Sequence, residues 1–285
     1  MRLNVVSLLV VTLVAMLPAP ASAQEPCSIN TITGTYAVQI SGSSFVGTLA
    51  PTAAPYQLHG GTAAFVARLT IERDGSVQGL LWGVYVAAPV SGPFSAQVTV
   101  NEDCTGDLVT PDESFKFAIL DNGKQLRWSP WDGFGGSLAA WNRISPAGEV
   151  GAVCGQQMFT GEYVMRCEGY ELTGEDSGVA SAWSLALLSV KEDGAITGKM
   201  YAKRFGLPSS TQLETALSGA VTVNTDCTTD QELTLEVQPG LSLKGRGVLF
   251  DHGKQAFTVP LGLYAGDQNV APVLPLTCQV TLIRK

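Results

Sequence analysis

The sequence predicts an all-β chain of two tandem antiparallel barrels, each of eight up-and-down strands, with a pair of β-sandwiches as the alternative. Three observations point there. Residues 98–105, Val-Thr-Val-Asn-Glu-Asp-Cys-Thr, recur as residues 221–228, Val-Thr-Val-Asn-Thr-Asp-Cys-Thr, with seven of eight positions identical. Short runs of alternating apolar residues are separated by turn pairs such as Asp74-Gly75, Asn122-Gly123, Asp193-Gly194 and His252-Gly253. The cysteines fall into pairs that follow the repeat.

The echo extends along most of the chain. Cys27 precedes Thr33-Gly34-Thr35-Tyr36 as Cys154 precedes Thr160-Gly161-Glu162-Tyr163, residues 69–79 align with 188–198, and 120–125 align with 250–255. The offsets of 127, 119, 123 and 130 place the insertions in connections, where loops tolerate them. Residues 24–146 are therefore expected to be copy one, 147–153 a linker rich in Gly and Ala, and 154–285 copy two. In copy one the alternation predicts strands over 34–40, 64–72, 77–86, 93–100, 106–110, 114–120, 125–129 and 138–144. Copy two gives 161–168, 182–191, 195–204, 216–224, 231–237, 242–250, 255–260 and 276–283. No helix is expected after residue 23.

Residues 1–23 have the layout of a secretory signal: Met1-Arg2, an apolar run over 5–17, and Ala21-Ser22-Ala23 as the cleavage site. The run is short for a membrane span, so a secreted or periplasmic protein is expected, without integral insertion. Six cysteines in an exported chain imply disulfides. Cys27 with Cys104 and Cys154 with Cys227 are equivalent pairs of the two copies. Cys167 and Cys278 remain, on the first and last strands of copy two, which are neighbours in a barrel but not in a sandwich.

With 25 acidic against 17 basic residues, net charge −8, and no basic run, nucleic acid is excluded as a partner, since phosphate contacts need clustered Lys and Arg. Two isolated histidines and no C-x-x-C spacing argue against a metal centre, and no cofactor is expected. Glu175-Asp176-Ser177-Gly178 lacks the context of a serine nucleophile, and the acidic pairs sit at turns; no catalytic set is legible. The strands lack a lipid-facing apolar band with aromatic girdles, which excludes an outer-membrane barrel.

Thr33-Gly34-Thr35-Tyr36, followed by a strand, an Asp-Gly hairpin and another strand, resembles the opening of calycin-like barrels, the lipocalin and avidin group. The resemblance covers about a third of each copy, and implies a barrel. The tryptophan usual in that motif is Tyr36 or Tyr163 here, and no ligand set carries over. The repeat is also similar to uncharacterised secreted bacterial proteins.

Residues that differ between copies are the candidates for function. Trp128, Trp131 and Phe134 lie in a segment whose copy-two counterpart, 258–263, reads Thr-Val-Pro-Leu-Gly-Leu, so the tryptophans belong to copy one alone and offer a stacking surface for a sugar or apolar ligand. Tyr56 and His59 lie in the long connection 45–61, which in such a barrel crosses the open end. Strands two and three of each copy are apolar on both faces, so the barrels are expected to pack together through them, Trp183, Leu185 and Leu187 included. The expected function is a non-catalytic binding module for a small apolar or carbohydrate ligand. The alternatives are a structural protein of the cell envelope with solid barrels and, more distantly, a barrel-cavity isomerase.

Overall fold

Each Asp-Gly and Asn-Gly pair turns the chain back on itself, and the strands between them pair with their sequence neighbours until the last meets the first. In the computed structural model, which describes residues 26–45, 60–85, 88–111, 114–130, 135–146, 153–173, 178–205, 211–271 and 276–284, this happens twice. The first ring comprises β1 (Gly34–Phe45), β2 (Gly60–Ile71), β3 (Ser76–Tyr85), β4 (Ala88–Val100), β5 (Thr105–Val109), β6 (Ser114–Leu120), β7 (Gln125–Pro130) and β8 (Gly135–Pro146). All neighbours are antiparallel, and β8 returns to β1 to close the barrel.

The second ring repeats this with β9 (Gly161–Thr173), β10 (Gly178–Val190), β11 (Ala195–Phe205), β12 (Thr211–Val223), β13 (Thr228–Leu235), β14 (Ser242–Phe250), β15 (Gln255–Ala265) and β17 (Leu276–Arg284). It closes through the β15–β17 and β17–β9 pairings. The short β16 (Gln268–Ala271) pairs with β15 outside the ring. All sixteen expected strands are present, most of them longer than the alternation indicated; β16 is an addition. Two barrels, not sandwiches, result. The expectation of no helix needs correction: α1 (Ile29–Ile32) is one helical turn, too short to carry a helical period.

The repeated octapeptide is a strand end that runs into a turn held by side-chain hydrogen bonds. Asp103 Oδ1 accepts from the backbone N–H and hydroxyl of Thr105, and Asn101 Nδ2 donates to that hydroxyl. Asp226, Thr228 and Asn224 repeat the arrangement. This turn holds Cys104 (φ 64°) and Cys227 (φ 69°), which bond Cys27 and Cys154 and fix the entry segments across one barrel end. The third disulfide joins Cys167 to Cys278 across the β9–β17 seam. Three disulfides indicate an oxidising environment, extracellular or periplasmic. The signal and its cleavage site lie outside the described residues, and among those described no helix is long and apolar enough to cross a membrane.

The Thr-Gly-x-Tyr segments lock that floor. Tyr36, fully buried, directs its hydroxyl at the carbonyls of Ile32 in α1 (2.8 Å) and Gly123 in the β6–β7 turn (2.7 Å). Arg143 donates to the same hydroxyl and to the Thr31 carbonyl. Tyr163 reaches Gly253 in the equivalent turn at 3.2 Å. Both turns need glycine, for φ is +76° at Gly123 and +80° at Gly253, and a Cβ would press on the Thr31 and Met158 carbonyls.

The barrels meet along an apolar face. Ala37, Ala64, Val66 and Trp82, on the outer wall of β1–β3, pack against Val248, Phe250, Phe257 and Val259 on the outer wall of β14–β15. The Arg246 guanidinium lies over the Trp82 ring, 5.0 Å from its centroid. The expectation of docking through strands two and three therefore holds for copy one and fails for copy two. Trp183, Leu185 and Leu187 remain 43%, 38% and 50% exposed. The reason is that β14–β15 is apolar on both faces too, whereas the copy-one positions equivalent to Val248, Phe250, Phe257 and Val259 are Ala118, Leu120, Arg127 and Ser129.

Burial pushes the Tyr36 phenol up to about 12, against the opposing pull of Arg143, and burial raises Tyr163 to about 12 as well. Below pH 10 neither ionises in either state, so their stabilisation is complete there. Above it the unfolded chain ionises first, and stability is lost as pH approaches 12. A tyrosinate absorbance titration of the wild type against Tyr36→Phe and Tyr163→Phe should assign the ionisations near pH 12 to these two residues; a folded protein in which both titrate near pH 10 contradicts this.

Candidate functional site: a cavity in the second barrel

Strand alternation decides which residues fill each barrel, and the register repeats between copies, so interior positions can be compared one by one. Leu108 opposite Phe115 and Phe117 opposite Trp128 in barrel one correspond to Gln231 opposite Gly245 and Gly247 opposite Thr258 in barrel two. Trp141, opposite Val38, corresponds to Val280 opposite Met165. Phe65, lying over Gly83, corresponds to Ser184. At these positions one interior carries rings and the other carries smaller residues without rings.

Barrel one is full. Phe115 and Trp128 have ring centroids 4.1 Å apart, Trp128 meets Trp141 edge-on at 6.0 Å, and Trp141 meets Tyr36 at 5.9 Å. The space left among Leu126, Trp128, Trp141 and their neighbours is about 10 Å³, room for one water molecule at most. The indole N–H groups of Trp128 and Trp141 find no acceptor there.

Barrel two holds a cavity of about 360 Å³. The locked end described above, where the tilted rings of Phe159 and Tyr163 have centroids 4.5 Å apart, is the floor of the barrel, and neither ring lines the cavity itself. Its walls are Met165, Met200, Leu217, Leu233 and Leu243, with the Cys167–Cys278 disulfide on the seam side. Leu213, Leu235, Pro260 and Leu276 continue the wall toward the opposite end. Every one of these belongs to a strand segment remote from the Asp193-Gly194 and His252-Gly253 turns, so the cavity opens away from the floor. Trp183 and Lys203, cross-strand partners on β10 and β11, line it and also reach solvent. Polar groups are sparse: Ser184, Gln231 and Lys203. Among the described residues no carboxylate or histidine lines the cavity, and no cluster of three His, Cys, Asp or Glu could hold a metal ion.

Of the residues singled out in the sequence, Trp128 is buried in the barrel-one core, on β7. Trp131, Phe134, Tyr56 and His59 lie outside the described residues. Of this set only Trp128 is placed, in a packed core, and the cavity described above lies in the other copy. The signal for it was available in the same comparison of copies: a tryptophan present in one barrel and absent from the other marks space in the second as much as a surface in the first.

No family model and no curated protein matches this chain. Two solved structures are similar at low levels. One is a protein of unknown function from the DUF3598 family of Nostoc punctiforme, 11% identical over 91% of this chain and 99% of that one, with a TM-score of 0.25. The other is a Nitrosomonas europaea protein provisionally described as AttH, 6% identical over 93% and 99%, with a TM-score of 0.27. The barrel assignment rests on the strand pairings of this chain itself.

Trp128→Ala should destabilise the protein by about 3–5 kcal/mol, because the filled interior cannot close over the loss. Chemical denaturation checks this; a cost below about 1 kcal/mol would mean that the ring does not carry the barrel-one core.

Proposed function

We propose that the protein is an exported, non-catalytic binding module that holds a small apolar ligand in the second barrel, in the manner of a calycin-like cup. One observation carries the reading: of two barrels with the same ring and the same floor, one is packed with aromatic rings and the other encloses about 360 Å³ of apolar space. That volume suits about a dozen non-hydrogen atoms at the ~30 Å³ a molecule of water takes in the liquid, and lies within the usual range for ligand pockets. The walls favour an apolar body over a carbohydrate, whose hydroxyls would be left without partners. Ser184, Gln231 and Lys203 provide a few polar contacts to orient one end. The reading of both barrels as solid structural elements does not account for this space. An isomerase would need an acid or base at the reacting atoms, and Lys203 is the one titratable side chain lining the cavity among the described residues. The signal at 1–23, with cleavage after Ala23, and the division into 24–146 and 154–285 belong to the same reading.

Native mass spectrometry of the purified protein should reveal a co-purified apolar molecule, or uptake of a medium-length fatty acid or an apolar dye at one site per chain. Ser184→Phe and Leu217→Phe place the copy-one residues in the cavity and should weaken uptake by tenfold or more, about 1.4 kcal/mol, with the fold intact. Uptake unchanged in both variants, or none in the wild type, would overturn the proposal.

A further inference from the structure

In barrel one, the outer wall of β2–β3 is covered by barrel two: Ala64 and Val66 are fully buried and Trp82 is 6% exposed. The same wall of barrel two, on β10–β11, carries bulkier apolar residues at the equivalent positions. Trp183, Leu185 and Tyr201 replace Ala64, Val66 and Trp82, and Leu187 replaces Arg68. All four are exposed, by 37–50%. They are contiguous, since Leu185 lies opposite Tyr201 and the other two flank it along β10.

We propose that this wall is the interface of a two-fold symmetric dimer of the chain. The molecule itself demonstrates what the face fits, because its counterpart in barrel one packs on the outer wall of another barrel. In a second copy three walls are worth considering. The β14–β15 wall is occupied by that copy's own first barrel. The equivalent β6–β7 wall carries Arg127 where Phe257 stands in barrel two, and a head-to-tail contact through it would propagate without closing. The β10–β11 wall is apolar, exposed and self-complementary, and pairing with itself closes at two copies.

The surroundings fit. Arg166 with Glu168 on β9, and Lys199 with Glu214 across β11 and β12, border the apolar residues on either side. Each border carries one ion pair, and Lys203 opposite Trp183 adds a single cation at the edge of the face. The four apolar side chains expose roughly 300 Å², the centre of a contact whose polar border must supply the rest of the ~800 Å² per partner that stable interfaces bury. Trp183 also lines the cavity, so the dimer sets one wall of each cavity mouth against the partner, although the interface argument stands without any ligand.

Sedimentation analysis from about 1 to 100 µM, the range that brackets micromolar dissociation constants, should give twice the chain mass. Leu185→Glu with Leu187→Glu should be a monomer with unchanged circular dichroism and melting temperature. Should that pair fail to fold, Leu187→Lys alone is read the same way, and an amine-to-amine crosslinker on the wild type should join the lysines at the wall's edge, Lys199 and Lys203, between the two chains. A monomer at about 100 µM, a dimer that survives the substitutions, or binding through this face only to a different protein or to lipid vesicles would each overturn the assignment.

Discussion

Closure of the strand ring is the constraint on which the remaining features depend. A β-strand at a sheet edge leaves a row of N–H and C=O groups without partners, and return of the last strand to the first removes both edges at once. Once eight strands close, backbone pairing sets the enclosed width, which side chains must then fill or leave open. The β8–β1 and β17–β9 registers accomplish closure here, and the tyrosine locks at Tyr36 and Tyr163 tie the entry segment to a far turn at the same end. The two copies are alike at these places, at the octapeptide turn and at its disulfide, and diverge in the side chains that fill the ring.

The divergence follows the logic of cross-strand packing. Where barrel one sets Phe117 over Gly106, barrel two has Thr229 and Gly247; where it sets Phe115 beside Leu108, barrel two has Gly245 beside Gln231. A glycine on one strand makes room for a large neighbour on the next, so each pair is nearly a unit. In barrel one the large member is a ring reaching the axis. In barrel two the large member is a threonine or glutamine that lies along the wall, and Thr258 and Val280 replace the two tryptophans that would otherwise cross the interior. The backbone is conserved between copies while the interior changes from solid to hollow.

These differences explain what could be read from the sequence. Strands, turns and the first two disulfides are local or repeated features, and the octapeptide marks them twice. The seam disulfide followed from placing Cys167 and Cys278 on first and last strands. The cavity depends on four or five positions far apart in the chain that meet only across the barrel, so no window of sequence carries it. The docking partner of barrel one was illegible for a similar reason: apolar residues on both faces say that a strand is covered twice, not by what. Arg127 against Phe257 was the informative contrast, since it distinguishes a solvated wall from a buried one, and it lies in strands that alternation alone does not set apart. α1 escaped notice because four residues hold no helical period.

The third disulfide has a place in the same account. Barrel one gains much of its cohesion from rings that touch across the axis, and removal of one such ring costs about 3–5 kcal/mol. Barrel two has given up several of these contacts to be hollow. At the positions where barrel one has Ile40 opposite Ala139, it has Cys167 bonded to Cys278, bridging 111 residues at the seam where the ring would part. Loop-closure entropy for a bridge of that span is on the order of 4–5 kcal/mol, comparable to the loss of one whole buried ring. The bridge therefore offsets part of the loss, and the apolar contact of β14–β15 with barrel one supports the strands on the same side of the ring. A hollow barrel held at its seam and braced by a solid sister keeps its shape without filling its interior.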